Sequence, residues 1–266
     1  MNREERTGQK MQELFHSPAA GEEGTDPEFM QILQRYIFGE LCYTGRLDNR
    51  MRELVTITVL TVLNTLPQLK AHLGACLNVG CTPVELREAI YQCAPFLGFP
   101  RTLNAIGVLN EVLNDRGVSL PLPRQGTVAD EERYEKGLAL QVPVYGEEIK
   151  DRYTWLPKPF DEAVPRFLTE HCFGDFNTRT GLDQKTRELL TVVLLAALGG
   201  AEVQVKSHAA GALKTGNTKE EVVCALVHAG AYMGIPCLFN ALNTCKELLS
   251  EDPCDRDGSE QGTEML

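Results

Sequence analysis

The sequence predicts an all-α protein built from two copies of one helical unit. The segment from Phe38-Gly39 to Leu113 returns about 135 positions later, from Phe173-Gly174 to Leu249. Both copies are rich in Leu, Ala, Glu and Lys at helical spacing. Neither copy shows the sustained alternation of apolar and polar residues that a half-buried strand needs. The repeat and the periodicity together indicate an internal duplication of a helical domain.

The residues that the copies share keep the same order along the chain. One extra residue in the second copy, between Leu189 and His208, shifts the register. The repeated residues of the first copy are Leu47, Asp48, Arg52, Glu53, Leu54, Lys70, His72, Gly80, Thr82, Glu85, Gly98, Pro100, Asn104 and Ala105. Their counterparts are Leu182, Asp183, Arg187, Glu188, Leu189, Lys206, His208, Gly216, Thr218, Glu221, Gly234, Pro236, Asn240 and Ala241.

A leading helix is predicted within residues 1–37, because Met11, Leu14 and Phe15 form a short apolar face. The segment from Tyr134 to Tyr145 is its expected counterpart in the second copy. The helices that follow in the first copy are expected at about 48–64, 66–79, 83–96 and 100–115, with equivalents downstream.

Start and stop signals support these boundaries. Gly80 is suited to closing one helix, Thr82 to capping the next, and Glu85 stands at its third position. Thr218 and Glu221 repeat the device in the second copy. Capping accounts for both glutamates, so we assign them no chemistry.

Composition indicates where the copies begin and end. Residues 117–130 contain Pro and Gly without helical periodicity and are predicted to be a linker. Residues 250–266 are mostly acidic or small, so a disordered acidic tail is expected there. The first domain is therefore predicted to span 1–116 and the second 131–249.

Charge and cysteine usage exclude several function classes. The net charge is −11 and no basic tract is present, which argues against nucleic-acid binding. The first residues are charged with no apolar run behind them, so no signal sequence is expected, and the longest apolar stretch, Leu189 to Leu198, is about half a membrane span. Nine cysteines without a Cys-x-x-Cys pair are typical of reduced thiols. We expect a cytoplasmic protein with neither nucleic-acid nor membrane partners.

Common catalytic motifs are missing, so the candidates are polar residues shared by both copies. No dinucleotide, phosphate-loop, nucleophile-elbow or zinc-ligand spacing occurs, and we expect neither a metal nor an organic cofactor. His72 and His208 have small helical neighbours that leave room beside the imidazole. Each is either a core histidine held by a backbone carbonyl or the partner of Glu53 or Glu188 in proton transfer.

Other shared polar residues have simpler explanations. Arg52 and Arg187 are expected to form i,i+4 ion pairs with Asp48 and Asp183 in the first helical turn.

The shared asparagines have two possible roles. Asn104 and Asn240 follow a Gly-x-Pro turn, where each either orients a ligand carbonyl or caps a helix. Lys70 and Lys206 are expected to face solvent.

These motifs in this order resemble the carboxymuconolactone decarboxylase family, which is related to the AhpD-type alkylhydroperoxidases. The pattern is Leu-Asp-x-x-x-Arg-Glu-Leu, a helix bearing His, Gly-x-Thr-x-x-Glu, and Gly-x-Pro-x-x-x-Asn-Ala, once per copy. The resemblance implies two tandem AhpD-like helical domains. It also implies assembly around a three-fold axis, which a tandem chain reaches as a homotrimer.

The resemblance also distinguishes two branches of chemistry. The AhpD branch has two cysteines ahead of the histidine, where this chain has Thr65 and Gln68, or Ala201 and Gln204. Without those thiols the peroxidatic reaction is not expected. The glutamate of the family matches Glu53 and Glu188, and its histidine matches His72 and His208, as in the decarboxylase branch.

The implied activity is a cofactor-independent decarboxylation or isomerisation of a small anionic lactone or keto acid. His72 or His208 is expected to donate a proton, with Glu53 or Glu188 tuning it. Arg52 and Arg187 are expected to neutralise substrate carboxylates, and Asn104 and Asn240 to help bind the substrate. Two alternatives stay open: a redox protein that uses a cysteine outside the usual motif, and a ring-forming scaffold without catalysis.

Overall fold

The computed structural model describes residues 1–250, and all regular structure among them is helical. The all-α prediction is confirmed. In chain order the helices are α1 (Arg3–Phe15), α2 (Pro27–Gly39), α3 (Asn49–Leu63), α4 (Leu66–Asn78), α5 (Pro83–Tyr91), α6 (Ala94–Leu97), α7 (Phe99–Asp115), α8 (Arg133–Tyr145), α9 (Phe160–Phe167), α10 (Gln184–Leu198), α11 (Glu202–Lys214), α12 (Lys219–Met233), α13 (Ile235–Thr244) and α14 (Lys246–Leu249).

The predicted caps are confirmed. Thr82 and Glu85 form a capping box at the start of α5, and Thr218 and Glu221 form the same box at α12. In each box the threonine hydroxyl accepts from the glutamate backbone N–H while the glutamate carboxylate accepts from the threonine N–H. Local hydrogen bonds of this kind involve only residues three apart, so they can be predicted without knowledge of the tertiary structure.

The leading region contains more helix than predicted. The first copy begins with a pair of helices, α1 and α2, rather than one. In the second copy α9 continues directly into a π-helical segment, Leu168–Asn177, against which α8 packs. This packing requires glycine, because a Cβ on Gly137 would collide with the carbonyl oxygen of Thr169.

The helix predicted at 83–96 is broken in the structure. α5 ends at Tyr91 and α6 begins at Ala94. Pro95 explains the break, since proline has no N–H to donate and its ring collides with the carbonyl four residues earlier, that of Tyr91. In the second copy Ala231 stands at the equivalent position, and α12 runs without interruption.

The two copies share one core. α3 and α10 pack against each other at the centre of the molecule. Every residue from Arg52 to Val62 in α3, and from Arg187 to Ala197 in α10, is buried. One apolar cluster contains side chains of both copies. The domain boundaries therefore stay a prediction, because the buried core does not divide at the linker.

The linker is held by hydrogen bonds to the first copy. The Arg87 guanidinium donates to the carbonyls of Leu122 and Pro123, at 3.2 and 2.7 Å. The predicted acidic tail lies outside the described residues apart from Ser250. No helix between residues 1 and 250 has the length and apolar character needed to cross a membrane.

Candidate active site

The structure brings together the glutamate and histidine of each predicted pair. Glu53 on α3 and His72 on α4 meet with 2.7 Å between Oε2 and Nδ1. Glu188 on α10 and His208 on α11 meet in the same way at 2.9 Å. Each pair joins two consecutive helices that pack side by side. The surroundings of the two pairs differ sharply, however.

The second pair has a third member that the sequence comparison missed, Tyr145. Its hydroxyl donates to Glu188 Oε2 at 2.5 Å and lies 2.7 Å from His208 Nδ1. Because an ionised carboxylate only accepts, Glu188 takes the Tyr145 hydrogen and also the hydrogen on His208 Nδ1. His208 Nε2 is then the ring nitrogen available to a ligand. Burial and the neighbouring Glu188 carboxylate raise the pKa of Tyr145, which stays a neutral donor.

A glycine makes room for this triad of Tyr145, Glu188 and His208. A Cβ on Gly211 would lie 2.7 Å from the Tyr145 hydroxyl and 2.9 Å from Glu188 Oε2. In the first copy the equivalent of Gly211 is Ala75, and the last residue of α1 is Phe15 where α8 ends in Tyr145. The second copy thus combines the Tyr145 hydroxyl with a glycine, Gly211, that leaves room for it. Comparing the ends of α1 and α8 in the sequence would have found this difference.

A cavity of about 760 Å³ opens beside the triad. It is lined by residues of both copies, with Gln92 and Phe96 on the first-copy side and Glu188 and His208 on the second. The Phe96 ring stands edge-on to the His208 imidazole, with 5.8 Å between ring centroids. The candidate site therefore lies between the two copies within a single chain.

The walls of this cavity combine apolar surface with a few charges. Phe173 and Phe176 contribute aromatic rings. The cations at the lining are Arg152 and Lys206, and the Lys206 ammonium is paired with Glu247 at 2.9 Å. Arg152 has no ion pair with any side chain that the structure describes. An apolar cavity with few convergent polar groups is typical of a small-molecule site.

The first pair is covered by aromatic rings. Phe15 and Tyr232 both stand edge-on to the His72 imidazole, each with 5.4 Å between ring centroids. Glu53 is 1% exposed, and no residue of this pair lines the large cavity. Tyr232 belongs to the second copy, so each histidine is contacted by an aromatic residue of the other copy. Here the contact encloses the histidine instead of leaving a cavity beside it.

Next to the first pair, His228 is buried with Nε2 3.0 Å from the Thr56 hydroxyl. Burial lowers the pKa of His228 to about 3, with smaller contributions from Arg52 and His72. An unfolded histidine titrates near 6.5, so between that pH and about 3 the unfolded chain binds a proton that the folded chain does not. The neutral His228 therefore leaves the free energy of unfolding undiminished above pH 6.5, and that free energy declines as the pH falls below 6.5.

We therefore expect the free energy of unfolding of His228→Gln to fall less steeply than that of the native protein as the pH is lowered. The native protein should lose up to about 1.4 kcal/mol per pH unit more than the variant below pH 6.5, since one proton is involved. Urea unfolding at pH 7 and pH 5 measures the difference. His16→Gln, at an exposed position, is the control and should follow the native curve. Parallel curves for native protein and His228→Gln would contradict the assignment.

Arg52 is not part of the cavity, and its predicted ion pair with Asp48 is wrong. Its guanidinium is buried and donates to the backbone carbonyls of Leu41, Thr44 and Leu47 at 2.7–3.1 Å. Asp48 instead caps α3 by accepting from the Met51 N–H. These carbonyls, in the connection between α2 and α3, already accept the guanidinium hydrogens of Arg52 that a substrate carboxylate would need.

Arg187 lies behind the cavity wall, and its predicted ion pair with Asp183 is also wrong. Asp183 caps α10, and Arg187 Nη2 is 3.4 Å from Oε2 of Glu88. Glu88 is fully buried, and its carboxylate also forms an ion pair with Arg179 at 2.8 Å. Burial lowers the pKa of Arg187, which the Glu88 carboxylate opposes. Arg187 Nη1 lies 3.5 Å from Oε1 of Gln92, a residue that does line the cavity.

The structure does not bring the predicted asparagines to either pair. Asn104 is exposed and donates to Asn64 Oδ1 at 3.3 Å. Asn240 is exposed beside a separate small pocket of about 50 Å³. Lys70 forms a surface ion pair with Glu111, which agrees with its expected solvent-facing position. Residues 1–250 contain no group of three side chains suited to holding a metal ion.

One cysteine lines the cavity, and burial raises the pKa of this Cys172 thiol to about 11. Burial also raises the pKa of the Cys42 thiol, to about 12. At pH 8 the thiolate fraction of Cys172 is then about 10²-fold below that of an ordinary cysteine.

We expect iodoacetamide to alkylate Cys172 in the folded protein about 10²-fold more slowly than in the same protein unfolded in urea. Peptide mass spectrometry of timed samples measures both rates. Equal rates would contradict the raised pKa of Cys172, and a faster rate in the folded protein would show an activated thiol and would revive the redox alternative.

Comparisons with known proteins identify the family of this chain. The model of the carboxymuconolactone decarboxylase family matches residues 27–111 and 162–247. Over 122 residues the chain is 30% identical to the 4-carboxymuconolactone decarboxylase of Acinetobacter baylyi, which covers 46% of this chain and 90% of that protein. Over 118 residues it is 28% identical to a nitrosuccinic acid decarboxylase of Metarhizium robertsii, covering 44% of this chain and 82% of that protein.

A solved structure shows the same fold over both copies. It is a provisionally assigned gamma-carboxymuconolactone decarboxylase subunit from Burkholderia xenovorans LB400, with a TM-score of 0.54 and 19% identity. The alignment covers 96% of this chain and 98% of that one. At this identity the match concerns the fold alone. Because the family model accounts for more than half of the sequence, once in each copy, the chain belongs to the carboxymuconolactone decarboxylase family.

Proposed function

We propose that this protein is a cofactor-independent carboxy-lyase with one functional site per chain, at Tyr145, Glu188 and His208. The observation that carries the proposal is the asymmetry of the two pairs. The second pair opens on a cavity of about 760 Å³, whereas Phe15 and Tyr232 cover the first. We assign a small anionic acid as the substrate class, because the guanidinium of Arg152 lines the cavity.

The names of the two relatives suggest what the site must do. Carboxymuconolactone and nitrosuccinic acid each carry a carboxylate whose loss leaves an electron pair conjugated to oxygen, in the lactone carbonyl or in the nitro group. A site for such acids needs a hydrogen-bond donor near that oxygen and an acid that protonates carbon. Neither requirement calls for a metal or an organic cofactor.

The proposed reaction consumes one proton. The bond between the substrate carbon and its carboxylate breaks, CO₂ leaves, and the electron pair spreads into an extended enolate. Doubly protonated His208 then gives its Nε2 proton to the carbon and recovers one from solvent. Glu188 accepts from Nδ1 throughout, which fixes the ring orientation and stabilises its positive charge.

The apolar part of the cavity favours the same step. A carboxylate that loses CO₂ passes its charge to a larger and more delocalised anion, which suffers less from poor solvation. Phe96, Phe173 and Phe176 supply that poorly solvating surface. Arg152 at the lining is the side chain that we assign to a second, remote carboxylate of the substrate.

We expect Tyr145→Phe to lower kcat by about 10–100-fold, because Glu188 loses a donor and the His208 ring loses a contact that orients it. Gly211→Ala should have a comparable effect by displacing the Tyr145 hydroxyl. Tyr43→Phe, outside the cavity, is the matched control and should retain native kcat. An unchanged kcat in Tyr145→Phe would remove this residue from the mechanism.

The proposed activity is tested by adding purified protein to 4-carboxymuconolactone and, separately, to nitrosuccinate. CO₂ release is followed for the native protein and for Glu188→Gln. Release from either acid that disappears in Glu188→Gln supports the proposal. If the native protein releases CO₂ from neither acid, the result would contradict the proposal and favour a non-catalytic scaffold.

We further propose that the chain assembles as a homotrimer. Two exposed apolar pairs occupy equivalent places in the copies, Phe99 with Leu103 on α7 and Ile235 with Phe239 on α13. An apolar face repeated in both copies suits contact with further copies of the same chain around a three-fold axis.

Light scattering should give three times the chain mass for the native protein. Phe239→Asp should reduce that mass, because it places a charge in the proposed contact, whereas Tyr134→Asp, elsewhere on the surface, should not. A native protein with the mass of one chain would contradict the trimer.

A further inference from the structure

The cavity wall that faces the triad from the first copy contains a buried amide, that of Gln92. This residue caps the C-terminus of α5, at the break that Pro95 causes, and is 3% exposed. Its Nε2 is buried and has no hydrogen-bond partner among the described residues. Leaving a buried donor unpaired destabilises the folded protein, so such a group calls for an explanation.

Arg187 determines which end of the amide faces the cavity. Its Nη1 lies 3.5 Å from the Gln92 side chain, and a guanidinium has hydrogens to donate but no acceptor. The atom of Gln92 next to Arg187 must therefore be the carbonyl oxygen, Oε1. Arg187 is itself fixed by Glu88, at 3.4 Å, which prevents the pair from reversing. The amide NH₂ is consequently the end directed away from Arg187.

The two copies differ in what this position faces. His228 is the equivalent of Gln92, and its Nε2 lies 3.0 Å from the Thr56 hydroxyl, while its Nδ1 has no partner among the described residues. Thr191 is the equivalent of Thr56, and each threonine hydroxyl donates to the carbonyl four residues earlier. Gln92 and Thr191 both line the cavity, whereas neither His228 nor Thr56 does, so only the second copy's site places a ligand next to this side chain.

We propose that Gln92 binds the substrate of the second copy's site by donating from Nε2 to a carboxylate or carbonyl oxygen. Arg187 acts through Gln92 as a positioning residue, because its positive charge polarises the amide and fixes its orientation. This inference rests on the proposed function for the nature of the oxygen. The first copy, whose own Glu53–His72 pair is covered, would in this way contribute a donor to the cavity that His208 also lines.

Succinate, a small dicarboxylate, is the probe for this proposal, and its binding is measured by titration calorimetry. Gln92→Leu removes the donor, and Gln92→Glu keeps an acceptor for Arg187 while placing a negative charge in the wall. We expect both variants to weaken succinate binding by about 10-fold or more. His228→Gln, at the equivalent position of the covered site, is the matched control and should bind as the native protein does. Melting curves confirm that each variant is folded.

The outcomes separate this inference from the proposed reaction. Native affinity in a folded Gln92→Leu or Gln92→Glu variant would overturn the inference, as would native protein that fails to bind succinate at millimolar concentration. Weakened binding in both variants supports it, whether or not the native protein releases CO₂ from either acid. If the enzyme is active, kcat/KM should fall in Gln92→Leu by at least the factor lost in succinate binding, since the oxygen gains charge during the reaction.

Discussion

His208→Ala is expected to lower the rate of CO₂ release by about 10²–10⁴-fold, whereas His72→Ala should change it little. Both substitutions remove a histidine that is bonded to a glutamate at the same place in the repeat. They differ in access, because His208 lines the cavity, whereas His72 is buried and contacted by two aromatic rings. A substrate that reaches only the cavity meets only His208.

The two variants control for each other, since each loses the same side chain from an equivalent helix. His72→Ala leaves a void in a closed site, so its rate is measured at a temperature where its melting curve shows it to be folded. Comparable losses of activity in both variants would mean that the covered pair is also catalytic. The proposal of one functional site per chain would then fail.

Glu88→Ala is expected to lower the free energy of unfolding by about 3–5 kcal/mol. Glu88 is fully buried and neutralises Arg179 and Arg187, at 2.8 and 3.4 Å, with Arg87 at 3.3 Å. Removing the carboxylate leaves these guanidinium groups close together without their counter-charge. Urea unfolding, followed by circular dichroism, measures the change.

The repeat supplies a matched control for this prediction. Cys224 is the second-copy equivalent of Glu88, and it lies 3.4 Å from Arg52 Nη2. Arg52 is satisfied by backbone carbonyls, so Cys224→Ala should cost only about 1 kcal/mol, as expected for a small truncation in a core. Equal destabilisation by the two substitutions would show that Glu88 contributes packing and not charge neutralisation.

The two copies have thus kept the fold and diverged in the surroundings of their Glu–His pairs. Both retain a bonded Glu–His pair on consecutive helices. In the second copy Tyr145 replaces Phe15, and the missing methyl group of Gly211 admits its hydroxyl. The first copy lacks that hydroxyl but supplies Gln92 and Phe96 to the cavity of the second. Neither copy alone would contain all the residues that line the site.

Sequence reasoning succeeded where the determinants are local and failed where they are not. Thr82 and Thr218 were predicted as caps because their partners stand three residues away. The assignment of Arg52 and Arg187 to ion pairs with Asp48 and Asp183 followed the same i,i+4 logic. It was wrong because carbonyls and Glu88 from other segments compete for the same donors.

The sequence by itself determined the duplication, the helical class, the helix caps and the Glu–His pairs. Each of these depends on periodicity or on residues whose spacing recurs in both copies. Only the tertiary structure decided which pair faces a cavity, that Tyr145 joins it, and that Gln92 reaches it from the other copy. Those contacts join residues far apart in the chain, such as Gln92 and Arg187, and they depend on how α3 and α10 pack at the shared core. Packing of that kind is set by the shapes of many side chains at once, which no local pattern records.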